Sequence, residues 1–457
     1  MVGGDRTEVR ALLDRVLSFV GEGRRAEAVY FGRDAALTRF ATNRIHQNVR
    51  EHDASVQVRI VEDERVGVAS TNRLDEAGIR DMIERAAAIA ARSAANPRAG
   101  VIPEPSGPEV DSDLGYVAET AEADAAIRAE GARAVIAAGE AKGLQTSGSF
   151  ATSTTSVAVA NSLGARAFHR STRASLLTVM MDGFASGAAS GYAHTGSGDV
   201  RDIDAAAIGA EAADKGDRMR GAIVPEPGEY EVVLEEYAVG GLLEYLAYIG
   251  FSGLAVEEGR SFMEIGKRVM GDNVRIWDDG ADPAGLPSVV DFEGVPRQRV
   301  DLITDGVASA VVHDAATAAR AGTRSTGHAL PAPNLLGPMP LNLFMAGGDT
   351  PREHLLDGIE RGVWVTRFHY INPVHPKKAI LTGMTKDGTF LIENGRITKP
   401  LMNFRFTQSI PEAFSDVRAA SRETKLLPGE FFGAYRAPAL RLGSFNFTGV
   451  TSAEGPA

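Results

Sequence analysis

The chain has no cysteine, which excludes disulfides and thiolate metal sites and fits a reducing compartment without requiring one. Histidine is sparse as well, nine in 457 residues, and none stands between Tyr230 and Gly250. Basic residues do not predominate: 48 Lys and Arg against 60 Asp and Glu give a formal net charge of −12. That balance argues against a nucleic-acid-binding surface, which would show a basic stripe, and an acidic surface repels phosphates. No apolar run approaches the ~20 residues that span a bilayer. Met1-Val2-Gly3-Gly4-Asp5 lacks a basic region followed by an apolar core, so no signal peptide is evident, and the expected location is cytoplasmic. The Gly-rich pieces Gly196-Ser197-Gly198 and 337–348 lack both a Gly-Lys-Ser/Thr ending and a strand–Gly-x-Gly-x-x-Gly–helix context, which excludes a nucleotide site. A serine nucleophile elbow is missing too: Gly183-Phe184-Ala185-Ser186-Gly187 has its serine misplaced, with His194 nearby only in sequence.

What is present is a globular composition, 44% hydrophobic and 24% charged, long enough for two or more domains. Glu8–Val20 sets Val9, Leu12, Leu13, Val16, Leu17 and Val20 on one helical face. Ala28–Phe31, Leu37–Phe40, Ile45–Val49 and Ala54–Ile60 read as successive strands, with Glu62–Arg65 a hairpin turn before Val66–Ala69. Leu74–Ala91 returns to helical spacing, 96–108 is a Pro- and Gly-rich loop, and Tyr116–Lys142 is one long helix or two. Ser156–Ala160 and Ala165–His169 read as a hairpin, Thr172–Met181 as a further strand, 183–198 as a flexible stretch and Ile203–Lys215 as a helix. Val224-Pro225-Glu226-Pro227-Gly228 reads as a domain boundary. Beyond it, short helical patterns at Ser261–Val269 and Ser309–Arg320 interrupt strands, and Val289–Phe292 with Arg299–Thr304 suggests a strand pair. Val363–Ile371, Lys378–Met384, Thr389–Glu393 and Arg396–Phe406 are strands in which Asp387-Gly388 and Asn394-Gly395 are hairpin signals. Ala437–Val450 adds a strand or two, and 451–457 is a frayed end. The fold class expected is α+β in two domains: a helix-and-meander domain at 1–223 and a mostly antiparallel β domain with a central helix at 229–450.

That central helix lies in Val232–Leu246. Val232-Val233-Leu234 is a strand; Glu235 and Glu236 then suit the positive end of a helix dipole, and Ala238, Leu242, Leu243 and Leu246 share a face. A strand feeding such a helix could present two histidines and a glutamate to one metal, yet the histidines are missing. The stretch resembles the TldD/PmbA family, the modulators of DNA gyrase, whose active subunit carries His-Glu-x-x-x-His on this helix. Laid on the shared Ala238-Val239-Gly240, the motif puts Glu236 at the first His, Tyr237 at the Glu and Gly241 at the second His. Glu can hold a metal, but Tyr is a poor base near neutral pH and Gly has no side chain. The active subunit's third ligand is a Cys, and this chain has none. The resemblance is therefore to the TldE/PmbA-like branch. It continues at Ala26–Tyr30, Arg39–Asn48 (with Arg-Phe-Ala-x-Asn-x-Ile), Val58–Asn72 and Thr382–Phe406 (with Leu-Ile-Glu-Asn-Gly).

The resemblance implies an intracellular peptidase complex in which a TldD-like partner subunit carries zinc and this chain, without a cofactor or catalytic residue of its own, completes the peptide-holding cavity. The substrates implied are unfolded peptides. Exposed sheet edges can pair with an extended peptide, and Phe251, Ser252 and the loop Thr323–Asn334 with His328 are the groove or interface candidates. Two other readings stand beside it. One is a homodimeric metallopeptidase using a non-family metal site built from His328, His369 and His375, with His313 nearby in sequence. The other is a non-enzymatic peptide-binding or gyrase-modulating protein. An acidic turn at Asp278, Asp279 and Asp282 lacks the alternating ligand spacing of a calcium loop.

Overall fold

The computed structural model describes residues 5–21, 23–96, 100–183, 189–431 and 433–450. Ser186, the Gly21–Gly23 turn at residue 22 and the expected frayed end at 451–457 lie outside or partly outside these. The chain is mixed α+β with mostly antiparallel sheets. The first sheet is built from β1 (Arg25–Ala41), β2 (Arg44–Glu62), β3 (Arg65–Thr71), β4 (Val110–Ser112), β5 (Gln145–Asn161), β6 (Arg166–Met181) and β7 (Ser190–Ser197), in the order β3-β2-β1-β5-β6, with β4 and β7 both on β6. Helices α1 (Arg6–Val20), α2 (Glu76–Arg92), α3 (Ala118–Ala121), α4 (Ala125–Ala141) and α5 (Ala205–Arg218) accompany it.

Period-2 alternation sorts this sheet's two faces. Even-numbered residues pack under helices: Ala26, Ala28, Tyr30, Ala158 and Phe168 against α1 and α2, and Phe40, Phe150, Ala174, Leu176 and Met180 against α4 and α5. Odd-numbered residues face the other way, Val29, Val159 and Ala167 meeting Val290 of the second half. The strands run longer than their apolar segments. Ala28–Phe31 and Leu37–Phe40 are one strand, as are Ile45–Val49 with Ala54–Ile60, and Ala165–His169 with Thr172–Met181. The polar residues between them, such as Arg33 and Asp34, stay in the ladder because β1 is paired on both edges, to β2 and β5. Within the stretch expected to be flexible, Ser190–Ser197 is a strand on β6.

The second sheet contains β8 (Gly228–Leu234), β9 (Ile276–Asp278), β10 (Val300–Thr304), β11 (Val307–Ala308), β12 (Asn342–Met345), β13 (Arg361–His375), β14 (Ile380–Glu393), β15 (Arg396–Pro400), β16 (Phe404–Ser409), β17 (Val417–Pro428) and β18 (Ala434–Val450). Pairings β8–β13–β14–β16–β18 return to β8, closing a five-stranded ring that leaves these strands fewer free edges. Phe404, Phe406, Phe445 and Phe447 are fully buried and in ring contact, Phe404 stacked on Phe447 with centroids 4.3 Å apart and the other pairs tilted. Helices α6 (Glu236–Ile249), α7 (Gly253–Glu257), α8 (Ala315–Ala321) and α9 (Ile410–Ala413) complete this half.

Several expectations are corrected here. Asp387-Gly388 is no hairpin turn: Asp387 (φ 55°) and Gly388 (φ 138°) form a bulge inside β14, where the register with β13 slips between Val365 and Arg367. Asn394-Gly395 does turn the chain, from β14 into β15. Ser261–Val269 is irregular, with left-handed glycines at 259 and 266, and the nearby helix is Gly253–Glu257. Val289–Phe292 contributes only an isolated bridge from Val290 to Pro296, while Val300–Thr304 pairs with β9. Ser309–Arg320 shrinks to α8, because the capping box of Asp314 and Thr317 starts the helix there.

Helix α6 sits at the junction of the two halves. Ala238, Leu242, Leu243 and Leu246 are fully buried, as expected, but so is Val239, and Gly240 lies against the Tyr435 ring. The helix is enclosed on nearly all sides. Among the described residues, no helix is long and apolar enough to cross a membrane.

Candidate functional site

Two cavities flank the start of α6. The first, about 660 Å³, is lined by Glu211, Lys215, Glu235, Glu236, Arg352 and Lys425 among others. Glu235, the cap of α6, is buried. Its Oε1 accepts from Trp364 Nε1 at 2.6 Å and from the Thr366 hydroxyl at 2.9 Å; its Oε2 accepts from Lys215 Nζ at 2.7 Å, with Arg352 at 3.3 Å. Burial opposes the charged carboxylate, but Lys215 and Arg352 outweigh it and hold the Glu235 pKa below its ordinary value. Glu236 accepts from Arg352 Nε at 3.0 Å. Glu211, on α5, takes Lys215 at 2.7 Å and Lys425 at 3.0 Å. Burial pushes the Glu211 pKa up and the two lysines bring it down to about 2. Three carboxylates are thus matched by three protein cations.

Tyr237 faces the opposite side. Its hydroxyl donates to Glu211 at 2.9 Å and accepts from Lys425 Nζ at 2.7 Å and the His194 backbone N–H at 3.2 Å. Burial, then Glu211, raises the Tyr237 pKa well above the usual phenol value, so it keeps its proton at neutral pH. Tyr237, Gly241, Glu244 and Tyr245, spaced along one helical face, line the second cavity, about 720 Å³. Its opposite wall is the odd-numbered face of β6 with the even-numbered residues of β7 that pair beside it: Arg173, Ser175, Leu177, Tyr192 and His194. The motif positions are therefore divided, Glu236 in one cavity, Tyr237 and Gly241 in the other.

The other sequence candidates are placed elsewhere. Phe251 is fully buried, edge-on to Phe262 in the main core, so its ring fills the core and lines no groove. Ser252 is buried beside Val312 in an isolated bridge. His328 is fully buried, bonding Asp278 at 2.8 Å and the Thr326 hydroxyl at 2.9 Å. The same Asp278 accepts the Asn342 N–H, which makes the acidic turn partly a core element. Loop residues Ala329–Asn334 border a third cavity of about 450 Å³ beside a buried Glu27–Arg59–Glu293 cluster. His369 lines the second cavity and His375 is exposed, apart from His328. Among the described residues, no three His, Cys, Asp or Glu side chains are grouped to hold a metal.

Sequence reasoning missed Lys215, Arg352, Lys425 and Trp364. Only Glu211 and Lys215, four apart on α5, left a local signal, a helical i, i+4 pair. The rest is brought in by tertiary contacts across more than a hundred residues.

Comparison with known proteins accords with this geometry. Residues 26–90, 106–220 and 227–449 match, in order, domain 1, the central domain and the C-terminal domain of the PmbA/TldA metallopeptidases. The chain belongs to the TldD/PmbA family. A metalloprotease TldD homolog of Buchnera aphidicola is 26% identical over 209 residues, 44% of this chain and 42% of that protein. Metalloprotease slr0863 of Synechocystis is 27% identical over 168 residues, 34% of each. This chain thus spans less than half the length of these curated relatives. The fold matches TldE from Thermococcus kodakarensis with a TM-score of 0.86 at 20% identity, covering 96% of this chain and 100% of that one. TM0727 from Thermotoga maritima matches with a TM-score of 0.84 at 18% identity, covering 96% and 99%.

The family implies zinc, and the donors at the three motif positions do not fit it. Glu236 is engaged by Arg352, Tyr237 keeps its proton and has three hydrogen-bond partners, and Gly241 offers no donor.

Proposed function

We propose that this chain is the non-catalytic, peptide-holding subunit of a two-subunit metallopeptidase, with zinc carried by a TldD-like partner. The observation that carries this reading is the occupation of the motif region by protein charge. Lys215, Arg352 and Lys425 neutralise Glu235, Glu236 and Glu211, so none of these three carboxylates is left free to bind a metal or to activate water. The naming of relatives as metalloproteases supports the peptidase context.

Its own residues bind and orient. Past Val365, β13 pairs with β14 but not with β8, and Arg367–Asn372 line the second cavity. An extended peptide can add to that edge through backbone hydrogen bonds, which read little side-chain information and suit unfolded segments. The test is cleavage of an unfolded peptide by purified chain with zinc, alone and mixed with a TldD-type subunit. No turnover alone, stimulated turnover in the mixture and indifference to Glu236→Ala are expected. Turnover by the chain alone that is lost in Glu236→Ala would refute the reading.

A further inference from the structure

The second cavity is built from two walls of different character. On the β6–β7 wall, strand alternation sends Ala174, Leu176 and Met180 into the helix-covered core and Arg173, Ser175 and Leu177 into the cavity. No carboxylate belongs to that wall. Arg173 is its one charged side chain, and it makes no hydrogen bond or ion pair with any described residue. The contrast with Arg367, which also lines the cavity, is direct: that guanidinium is held by Asp387 at 2.7 Å and lies over the Tyr192 ring at 4.4 Å.

A half-buried guanidinium without a protein partner keeps only what water supplies from the cavity, and its neighbours do not offset its charge. Burial and then Arg33 lower the Arg173 pKa. His194 beside it hydrogen-bonds the Ser175 hydroxyl at 3.0 Å. Burial, and then Arg173, Lys425 and Arg367, bring the His194 pKa down to about 3, so His194 is neutral at pH 7 and adds no charge of its own beside Arg173. At the mouth, Tyr370 is 70% exposed and held at φ 50°, an unfavourable conformation for a bulky residue, while the Tyr245 hydroxyl donates to the next carbonyl, of Ile371. Phe431 is exposed on the same rim. An unpaired cation on this wall and a left-handed aromatic residue at the entrance describe a place for an anion; the two carboxylates that line the cavity, Glu244 and Glu430, lie outside the β6–β7 wall, and Glu244 already accepts from the Glu430 and Phe431 N–H groups.

We propose that Arg173 is a carboxylate-binding subsite: a peptide lying in this cavity places a carboxylate, from its C-terminus or from an Asp or Glu side chain, on the Arg173 guanidinium. The fork of guanidinium N–H groups matches a carboxylate with two parallel hydrogen bonds, and Ser175 supplies a hydroxyl alongside. The inference rests on the chain being a peptide-holding subunit, and it adds which chemical group is recognised.

The test is binding of an octapeptide of Gly, Ser and Ala, labelled at its N-terminus with an uncharged BODIPY dye, to the purified full chain by fluorescence anisotropy. Three versions distinguish the sources: free C-terminal acid, C-terminal amide, and amide with one internal Glu. A carboxylate-bearing version is expected to bind about 30-fold or more tightly than the plain amide. Which version binds identifies the source, and Arg173→Gln abolishes the difference. Because Arg173 has no partner to lose, the thermal midpoint of Arg173→Gln should equal or exceed the parent's, which separates a binding defect from misfolding. Arg173→Lys should restore part of the preference. Equal binding of all versions, or a preference that survives Arg173→Gln, overturns the carboxylate subsite. If the chain still stimulates cleavage by a TldD-type subunit, the peptide-holding role stands without it; absence of both binding and stimulation overturns the two together.

Discussion

Replacing Lys215 by Met tests whether protein cations hold the first cavity together. Lys215 Nζ lies 2.7 Å from both Glu235 and Glu211, and Glu235 is 1% exposed. Removing one member of a buried pair costs about 3–5 kcal/mol, because the remaining charge stays desolvated. Here Arg352 at 3.3 Å and the donors Trp364 and Thr366 remain on Glu235, and Lys425 remains on Glu211. The cost should therefore fall at the low end, about 3 kcal/mol. The double variant Lys215→Met/Glu235→Gln keeps an acceptor for Trp364 and Thr366 and removes the stranded charge, so it should cost about 1–2 kcal/mol, less than Lys215→Met alone. Urea unfolding at pH 7 followed by tryptophan fluorescence is the assay, and Trp364 reports from within the network. The pH dependence has a defined sign. Glu235 has a folded pKa below its ordinary 4.5, so its contribution is present above that pH and lost on acidification. Lys215 has one raised above 10.5, so its contribution is present below that pH and lost as pH rises further. The gap between parent and variant should be widest between these limits and narrow outside them. A Lys215→Met cost below about 0.5 kcal/mol, or strict additivity with Glu235→Gln, would refute the charge-matching argument.

Three further outcomes are expected. His194, with a folded pKa of about 3 against an ordinary 6.5, favours the fold above pH 6.5 and loses that advantage as pH falls toward 3. His194→Gln should therefore lose about 2–3 kcal/mol less than the parent between pH 6.5 and 4, read from urea midpoints at each pH. Gly240→Ala would place a Cβ 2.2 Å from the Tyr435 ring; overpacking of about 1–3 kcal/mol should exceed the ~1 kcal/mol gain in helix propensity and lower the thermal midpoint. At Gly241 a Cβ would meet only Ile371, at an ordinary 3.5 Å, so Gly241→His should fold. Its metal content after dialysis against zinc should equal the parent's, since Glu236 stays on Arg352.

How far the sequence could be read depended on how local the determining contacts were. Period placed α1, α2 and α6, because apolar spacing acts within a few residues. Strand limits were harder: Arg33 and Asp34 interrupt the apolar pattern of β1, but pairing on both edges carries the strand through them. Asp387-Gly388 has the left-handed conformation its sequence favours, and whether that turns a chain or bulges it is decided by β13 alongside. At the site, the lack of a suitable donor at Tyr237 and Gly241 was legible from residue types, whereas the engagement of Glu236 by Arg352 was not. Nor were the cations on Glu235, since Lys215 and Arg352 reach Glu235 from 20 residues before and 117 after it in the chain. Phe251 looked like a groove residue only because sequence does not distinguish a core aromatic from an exposed one.

The ring of opposite charges around the start of α6 also bears on reversibility. Installing histidine at 236 would not by itself recreate a zinc site, since the Arg352 guanidinium would then lose its anchor on Glu236 and repel any incoming dication. On the proposed reading, side-chain cations standing beside the motif positions make that arrangement hard to convert into a metal site one residue at a time.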